Sequence, residues 1–395
     1  MLTPGAGVPP VVTSATALDT AVGTLGGGTG PVAVDTERAS GYRYWQRAYL
    51  IQVRREGAGT VLIDPIGLDD LSGLADVLNP LEWVLHAASQ DLPCLAELGL
   101  RPGAVFDTEL AARLAGLPRV GLAALVEELL GYQLQKGHGA ADWSRRPLPA
   151  DWLTYAALDV ELLLPLRAAI AAELDAQGKS GWAAEEFEAV RTAGPPAPRV
   201  DPWRRISGMH RIHQPRDLAA ARELWLAREQ IARQRDIAPG RVLPDAAIIA
   251  AVLANPPDEA ALLSLPVFGG RAQRRQVSTW LRALQAARAR PACDLPPLRA
   301  PGGGRPAVSR WPDRDPAAAA RLAAARAALT EIADQHQLPV QNLLQPDLVR
   351  RLCWEPPEPP DAGAVERELV VGGARRWQRE LTVHPLTAAL DPASG

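Results

Sequence analysis

Three short β-rich runs crowd into residues 31–64: PVAVDTE, AYLIQVRRE and TVLIDP, each bounded by Gly or charged turns. Connections this short permit only hairpins, so the three should form an antiparallel meander. The next segment, LDDLSGLADVLNP, spaces its leucines as a helix does, and EWVLHAA reads as a buried strand. A strand–helix–strand connection of that length is a crossover, which makes the sheet mixed. From Asp91 onward the periodicity is helical, through DLPCLAELGL, DTELAARLAGL, GLAALVEELLGY and DWLTYAALDVELLLPLRAAIAAELDA. Pro165 is placed to kink the last of these. The expected fold class is α/β: a mixed sheet with flanking helices, followed by one or two all-α units.

Two breaks divide the chain of 395 residues. TAGPPAPRVDPW, rich in Pro and Gly, ends a first unit at 1–195. Residues 203–290 then show only helical periodicity. RPACDLPPLRAPGGGRPAVSRWPDRDP gives a linker at 291–315 by composition. A further helical unit at 316–390 repeats the outline of the second: a long Ala/Arg/Leu helix, a short polar turn, then PVQNLLQPDLVRRL. Charge is unevenly shared. Residues 1–195 carry 14 Lys+Arg against 24 Asp+Glu, whereas 201–290 carry 15 Arg, no Lys and 8 Asp+Glu. An acidic unit beside a basic one suits a metal-binding catalytic domain joined to a polyanion binder, although arginines also decorate solvated helices.

The composition excludes other classes. No stretch reaches the ~18 unbroken apolar residues of a membrane span. The N-terminus lacks the charged n-region and apolar core of a secretory signal, so a cytoplasmic location is expected. Cys94, Cys293 and Cys353 form no CxxC pair, which argues against a disulfide framework and a zinc knuckle. The GGG runs at 26–28 and 302–304 lack the GK[ST] of a phosphate-binding loop. Trp203, Trp225, Trp280 and Trp311 read as core residues of the helical units.

Four carboxylates stand out by position. Asp35 and Glu37 end the first strand, and their i, i+2 spacing points both side chains to one face. Asp91 follows the strand EWVLHAAS and opens a helix, at the same end of the sheet if the two strands run parallel. Asp159 lies four residues after Tyr155, which puts phenol and carboxylate on one helical face. Converging carboxylates repel unless cations neutralise them. Oxygen-only ligands suit Mg²⁺ or Mn²⁺. Two such ions about 3.5–4 Å apart can clamp the attacking and leaving oxygens of a phosphoryl displacement. Tyr155 would then orient the attacking water or accept its proton; a free phenol of pKa ~10 needs help for the second role.

The ordered set VAVDTE, HAASQDLPCL and YAALD resembles the three exonuclease motifs of the DEDD superfamily, in the subfamily with Tyr four residues before the last Asp. The stretches FDTELAARLAGL, GLAALVEELLGYQLQKGH and ADWSRRPLPADWLTYAALDVELLLPL are similar to ribonuclease D, over about residues 30–190. The resemblance implies an RNase H-like fold. It also implies metal binding by Asp35, Glu37, Asp91 and Asp159, water positioning by Tyr155, and hydrolysis of RNA from the 3′ end to nucleoside 5′-monophosphates. LWLAREQIARQRDIAPGRVLPDAAIIAAVLANPP, followed by LLSLPVFGGRAQRRQ, resembles the HRDC module that follows that nuclease domain, and 316–390 resembles it more faintly. The expected substrate is RNA with a single-stranded 3′ end, such as a tRNA precursor. No membrane and no obligate protein partner are expected. A DNA 3′ exonuclease and a non-catalytic nucleic-acid-binding scaffold are the alternatives.

Further residues are candidates for substrate contact. His86, at a strand end, lies within reach of a phosphate or sugar, or is satisfied by a backbone carbonyl. Gln90 neighbours Asp91. Lys136, His138, Arg145 and Arg146 form a basic loop that suits phosphates, or is simply solvated. Tyr44 and Trp45, with Tyr42, either stack on terminal bases or cover the sheet edge.

Overall fold

The computed structural model describes residues 4–134, 137–195, 197–298 and 305–391. Six strands form one sheet: β1 (Val11–Val12), β2 (Thr29–Glu37), β3 (Leu50–Glu56), β4 (Gly59–Ile63), β5 (Glu82–Leu85) and β6 (Ala104–Asp107). Their order is β1-β4-β3-β2-β5-β6. The β2–β3 and β3–β4 pairs are antiparallel, which is the meander. β5 runs parallel to β2, with β6 parallel to β5 and β1 parallel to β4, so the sheet is mixed.

Two strands depart from the sequence reading. Residues 104–107 lie in a stretch read as helical from Asp91 onward, yet AVFD forms β6. Four residues are too few to show a period, and the strand exists because it pairs with β5 from Glu82↔Ala104 to Leu85↔Asp107. β1, two residues long, has no sequence signature at all. Near Pro165 the long helical pattern breaks into Ala150–Glu161 and Leu163–Ala176.

Residues 203–290 close on their own core of Trp203, Leu224, Ile248, Phe268 and Trp280. The last helices, Pro316–Gln335, Pro346–Trp354, Ala362–Val371 and Arg376–Leu390, instead share a continuous apolar core with the sheet. Trp377 stacks on Trp182 with ring centroids 4.8 Å apart, and its indole N–H donates to Glu186. The buried Lys179 ammonium donates to the carbonyls of Leu114 (2.8 Å) and His336 (2.6 Å), tying nuclease-side and C-terminal helices together. The stretch 291–315, a linker by composition, ends inside that core: Trp311 is fully buried. Among the described residues no helix is long and apolar enough to cross a membrane. All three cysteines are free.

Candidate active site

Strand register decides where the acidic pair points. Asp35 lies opposite Gln52 and Glu37 opposite Leu50, so these four share one face. Leu50 packs with Leu62, Ala156 and Ala157, the last two from helix Ala150–Glu161. Asp35 and Glu37 therefore face that helix, and its next residues bring Asp159 down onto them. Oxygens of Asp35, Glu37 and Asp159 all lie within 4.8 Å of one another. Tyr155, one turn earlier, hydrogen-bonds to Asp159. Gly137 covers the ring; a Cβ there would come within 2.7 Å of Tyr155 Cδ2, so only glycine fits.

Asp91 approaches from the neighbouring strand. It sits at the mouth of helix Leu92–Glu97 without capping it. Its Oδ1 accepts a 2.6 Å hydrogen bond from Thr36 Oγ1, and Arg38 lies 3.8 Å away. Thr36 alternates to the opposite side from Asp35, so Asp91 joins the cluster at the strand end, outside the tight trio. It lines the same pocket of about 420 Å³, together with Asp35, Glu37, Tyr155 and Asp159. The loop that delivers it is held by Asp107, whose carboxylate accepts from the N–H groups of Ala87 and Ala88 and also caps helix Thr108–Leu114. Ala87 adopts a left-handed conformation, φ 59°, which a non-glycine residue holds only when its surroundings impose it. Asp107 is that constraint.

The electrostatics demand cations. Burial, then the charges of Asp91, Asp159 and Glu37, hold the Asp35 carboxyl well above its ordinary range. Burial, then the charges of Asp159 and Asp91, push Glu37 up to about 9, against the pull of Arg38. Burial raises Asp91 to about 6 and Asp159 to about 7, despite the hydrogen bonds from Thr36 and Tyr155 that oppose it. Four all-oxygen donors that cannot comfortably ionise together are what a divalent cation relieves. The Tyr155 phenol is likewise raised, by burial first and then by Asp159.

The remaining candidates scatter. His86 and Gln90 line the pocket. His86 Nδ1 lies 2.9 Å from Thr108 Oγ1, and burial lowers its pKa. Gln90 is held by Arg38, which bonds both its backbone and its side-chain oxygen. His138 packs edge-on against Tyr155 at 5.7 Å and pairs with Asp151 at 3.4 Å. Arg145 is exposed. Arg146 does not face substrate: it forks onto Asp64 (2.8 Å from Nη2 to Oδ1) and spends its other donors on the carbonyls of Trp143, Arg145 and Tyr49. Tyr44 and Trp45 lie outside the pocket, against the second unit. Their backbone N–H groups both donate to Asp236, and Arg233 stacks on the Trp45 ring. Arg241 stacks on Tyr42 at 3.9 Å. The aromatics after the DTE motif thus serve a domain contact. Lys136 falls outside the described residues. Sequence reasoning missed Arg38 and Asp107; the only hint for Arg38 was its place directly after the acidic pair.

Comparison with known proteins agrees with this geometry. Residues 10–175 match the family described as 3′-5′ exonuclease, 217–284 match the HRDC domain, and 304–390 match the 3′ to 5′ exonuclease C-terminal domain. The ribonuclease D of Shewanella sp. (strain ANA-3) is 34% identical over 261 residues, which is 65% of this chain and 67% of that protein. That of Nitrobacter hamburgensis is 33% identical, covering 68% of this chain and 72% of its own length. A crystal structure of a protein from Bifidobacterium adolescentis superposes with TM-score 0.92 at 37% identity over 99% of each chain. Escherichia coli RNase D, described as an exoribonuclease involved in structured RNA processing, superposes with TM-score 0.70 at 26% identity, over 96% of this chain and 98% of its own.

Proposed function

This chain belongs to the ribonuclease D family and is a 3′–5′ exoribonuclease, and from that premise we propose that it trims single-stranded 3′ ends of structured RNA, tRNA precursors among them. The observation that carries this is the trio Asp35, Glu37 and Asp159 sharing one pocket with Asp91 and Tyr155. These four carboxylates would hold two divalent cations, Mg²⁺ or Mn²⁺. Bound there, the cations would supply an activated water and stabilise the leaving 3′ oxygen, releasing a nucleoside 5′-monophosphate.

The chain's own groups do the rest. Tyr155, hydrogen-bonded to Asp159 at the pocket wall, is placed to orient the attacking water. Asp159 keeps the phenol in place. His86 has a fixed tautomer. The Thr108 hydroxyl spends its one proton on the Leu85 carbonyl (3.1 Å), so it accepts from His86 Nδ1–H. Nε2 is then a neutral acceptor at the pocket wall, suited to a sugar hydroxyl. Gln90, braced by Arg38, contacts the same nucleotide. His138, packed on Tyr155, and the exposed Arg145 on the same loop meet the incoming strand in this reading.

The basic second unit holds the RNA body through phosphates, with Arg271, Arg274 and Arg275 grouped beside Gly269 on its surface. The last unit is a divergent copy of the second. Each runs a long helix (Pro215–Arg235, Pro316–Gln335), a four-residue helix (Pro239–Val242, Val340–Leu343), then one beginning at or beside a Pro-Asp pair (Asp245–Ala254, Pro346–Trp354). A 5′-labelled RNA with a duplex body and a 3′ tail tests the proposal. It should shorten one nucleotide at a time from the tail, only with a divalent cation, and faster than matched DNA. An Asp35→Ala protein that digests it at the parent rate would refute the assignment.

A further inference from the structure

Gln52 is completely buried, yet neither its amide nitrogen nor its amide oxygen has a hydrogen-bond partner. A buried amide left unpaired at both ends is costly, and in a native structure it calls for an explanation. Its address supplies one. Gln52 lies in the middle of the central antiparallel strand β3, directly opposite Asp35 on β2 and Leu62 on β4. Directly opposed residues project to the same face with Cβ atoms about 4.5–5.5 Å apart. The Gln52 side chain thus lies beside Asp35, under helix Ala150–Glu161, on the inner side of the carboxylate trio. The residues packed on that face next to it in register, Leu50 and Leu62, are apolar and pack with Ala156 and Ala157 of the helix. A leucine or methionine would fill the same place without stranding two polar atoms.

Asp35 accepts no side-chain hydrogen bond among the described residues; its one donor is the Thr36 backbone N–H. Glu37 also lacks a side-chain donor, but the residue opposite it in register is Leu50, which has none to give. Asp91 has Thr36 and Arg38, and Asp159 has Tyr155. Gln52 is the one uncommitted side-chain donor on Asp35's own face of the sheet among the described residues flanking it in register.

We propose that Gln52 is a positioning residue for the metal site: its amide donates to the Asp35 carboxylate and fixes which oxygen is presented to the cation. The inference rests on the cation-binding reading of the pocket. Groups that orient ligating carboxylates in this way change metal affinity by about 10–100-fold when removed.

The test is Gln52→Met, which keeps the volume and removes both polar atoms, with Gln52→Leu as a second variant. Calorimetric titration of Mn²⁺ into the metal-free full chain is the readout, alongside melting in EDTA. The expected result is a variant that melts at or above the parent temperature without metal, binds Mn²⁺ about 10-fold or more weakly, and recovers its RNA-trimming rate when Mn²⁺ is raised in proportion. A Gln52→Met or Gln52→Leu protein that binds Mn²⁺ within twofold of the parent would overturn the inference and leave the metal site standing. A parent chain that takes up no Mn²⁺ would overturn both.

Discussion

Glu37→Gln in the metal-free protein isolates the electrostatic strain of the site. Burial and the neighbouring acids raise the Glu37 carboxyl from an ordinary 4.5 to about 9. An acid whose pKa is raised on folding contributes no penalty below its unfolded value. Above it, stability is lost as pH climbs, until the folded-state pKa is passed. Each pH unit in that window removes up to ~1.4 kcal/mol. Between pH 5.5 and 8.5 the Glu37 share is therefore at most ~4 kcal/mol, and relaxation and water entry bring it to about 1–3 kcal/mol. Glutamine has no proton to exchange, so the variant lacks this share of the slope. The assay is thermal melting in EDTA at the two pH values. At about 2–4 °C per kcal/mol for a domain of the nuclease unit's size, the parent should lose roughly 2–12 °C more than the variant between them. Mg²⁺ should restore the parent most at the higher pH, where its binding displaces fewer protons, and should restore the variant little. Parallel pH profiles for the two metal-free proteins would refute the reasoning, because the carboxylates would then not share one field.

Tyr155→Phe should lower kcat about 10²-fold while the Mg²⁺-dependent rise in melting temperature stays intact, since the phenol orients water and does not ligate; single-turnover kinetics and melting check both. Trp377→Ala should destabilise the nuclease unit and the C-terminal helices together by about 3–5 kcal/mol, seen as one broadened or shifted transition in place of an early separate one, because the ring bridges a single core. Replacing Arg271, Arg274 and Arg275 with alanine should weaken RNA binding uniformly across sequences and flatten the log K against log salt slope by about 2–3, measured by fluorescence anisotropy.

Local patterns carried most of the site. The acidic pair at the end of β2 and the Tyr155–Asp159 pair on its helix are i, i+2 and i, i+4 relations that a strand and a helix convert directly into shared faces. The meander needed only short loops between β-rich runs. Features set by distant contacts were not legible. β6 is a strand because β5 is beside it. Tyr44 and Trp45 lie next to the acidic motif in sequence, yet Asp236 and Arg233, about 190 residues on, claim them for a domain contact. Arg145 and Arg146 look alike in the chain, and only the location of Asp64 commits one of them to an ion pair within the protein. The same holds for the last helices, whose Ala-rich composition reads as a free-standing bundle, whereas Trp377, stacked on Trp182 and bonded to Glu186, buries them against the nuclease unit.

The central claim is that Asp35, Glu37, Asp91 and Asp159 together hold divalent cations at the 3′ end of the substrate. Crystals soaked with Mn²⁺ and a nucleoside 5′-monophosphate test it directly, because manganese scatters anomalously and marks its own position. The account predicts two anomalous peaks about 3.5–4 Å apart, bounded by those four side chains, with the phosphate between them and Tyr155. Peaks elsewhere, or a nucleotide bound in the pocket with no metal beside Asp35 and Asp159, would contradict it.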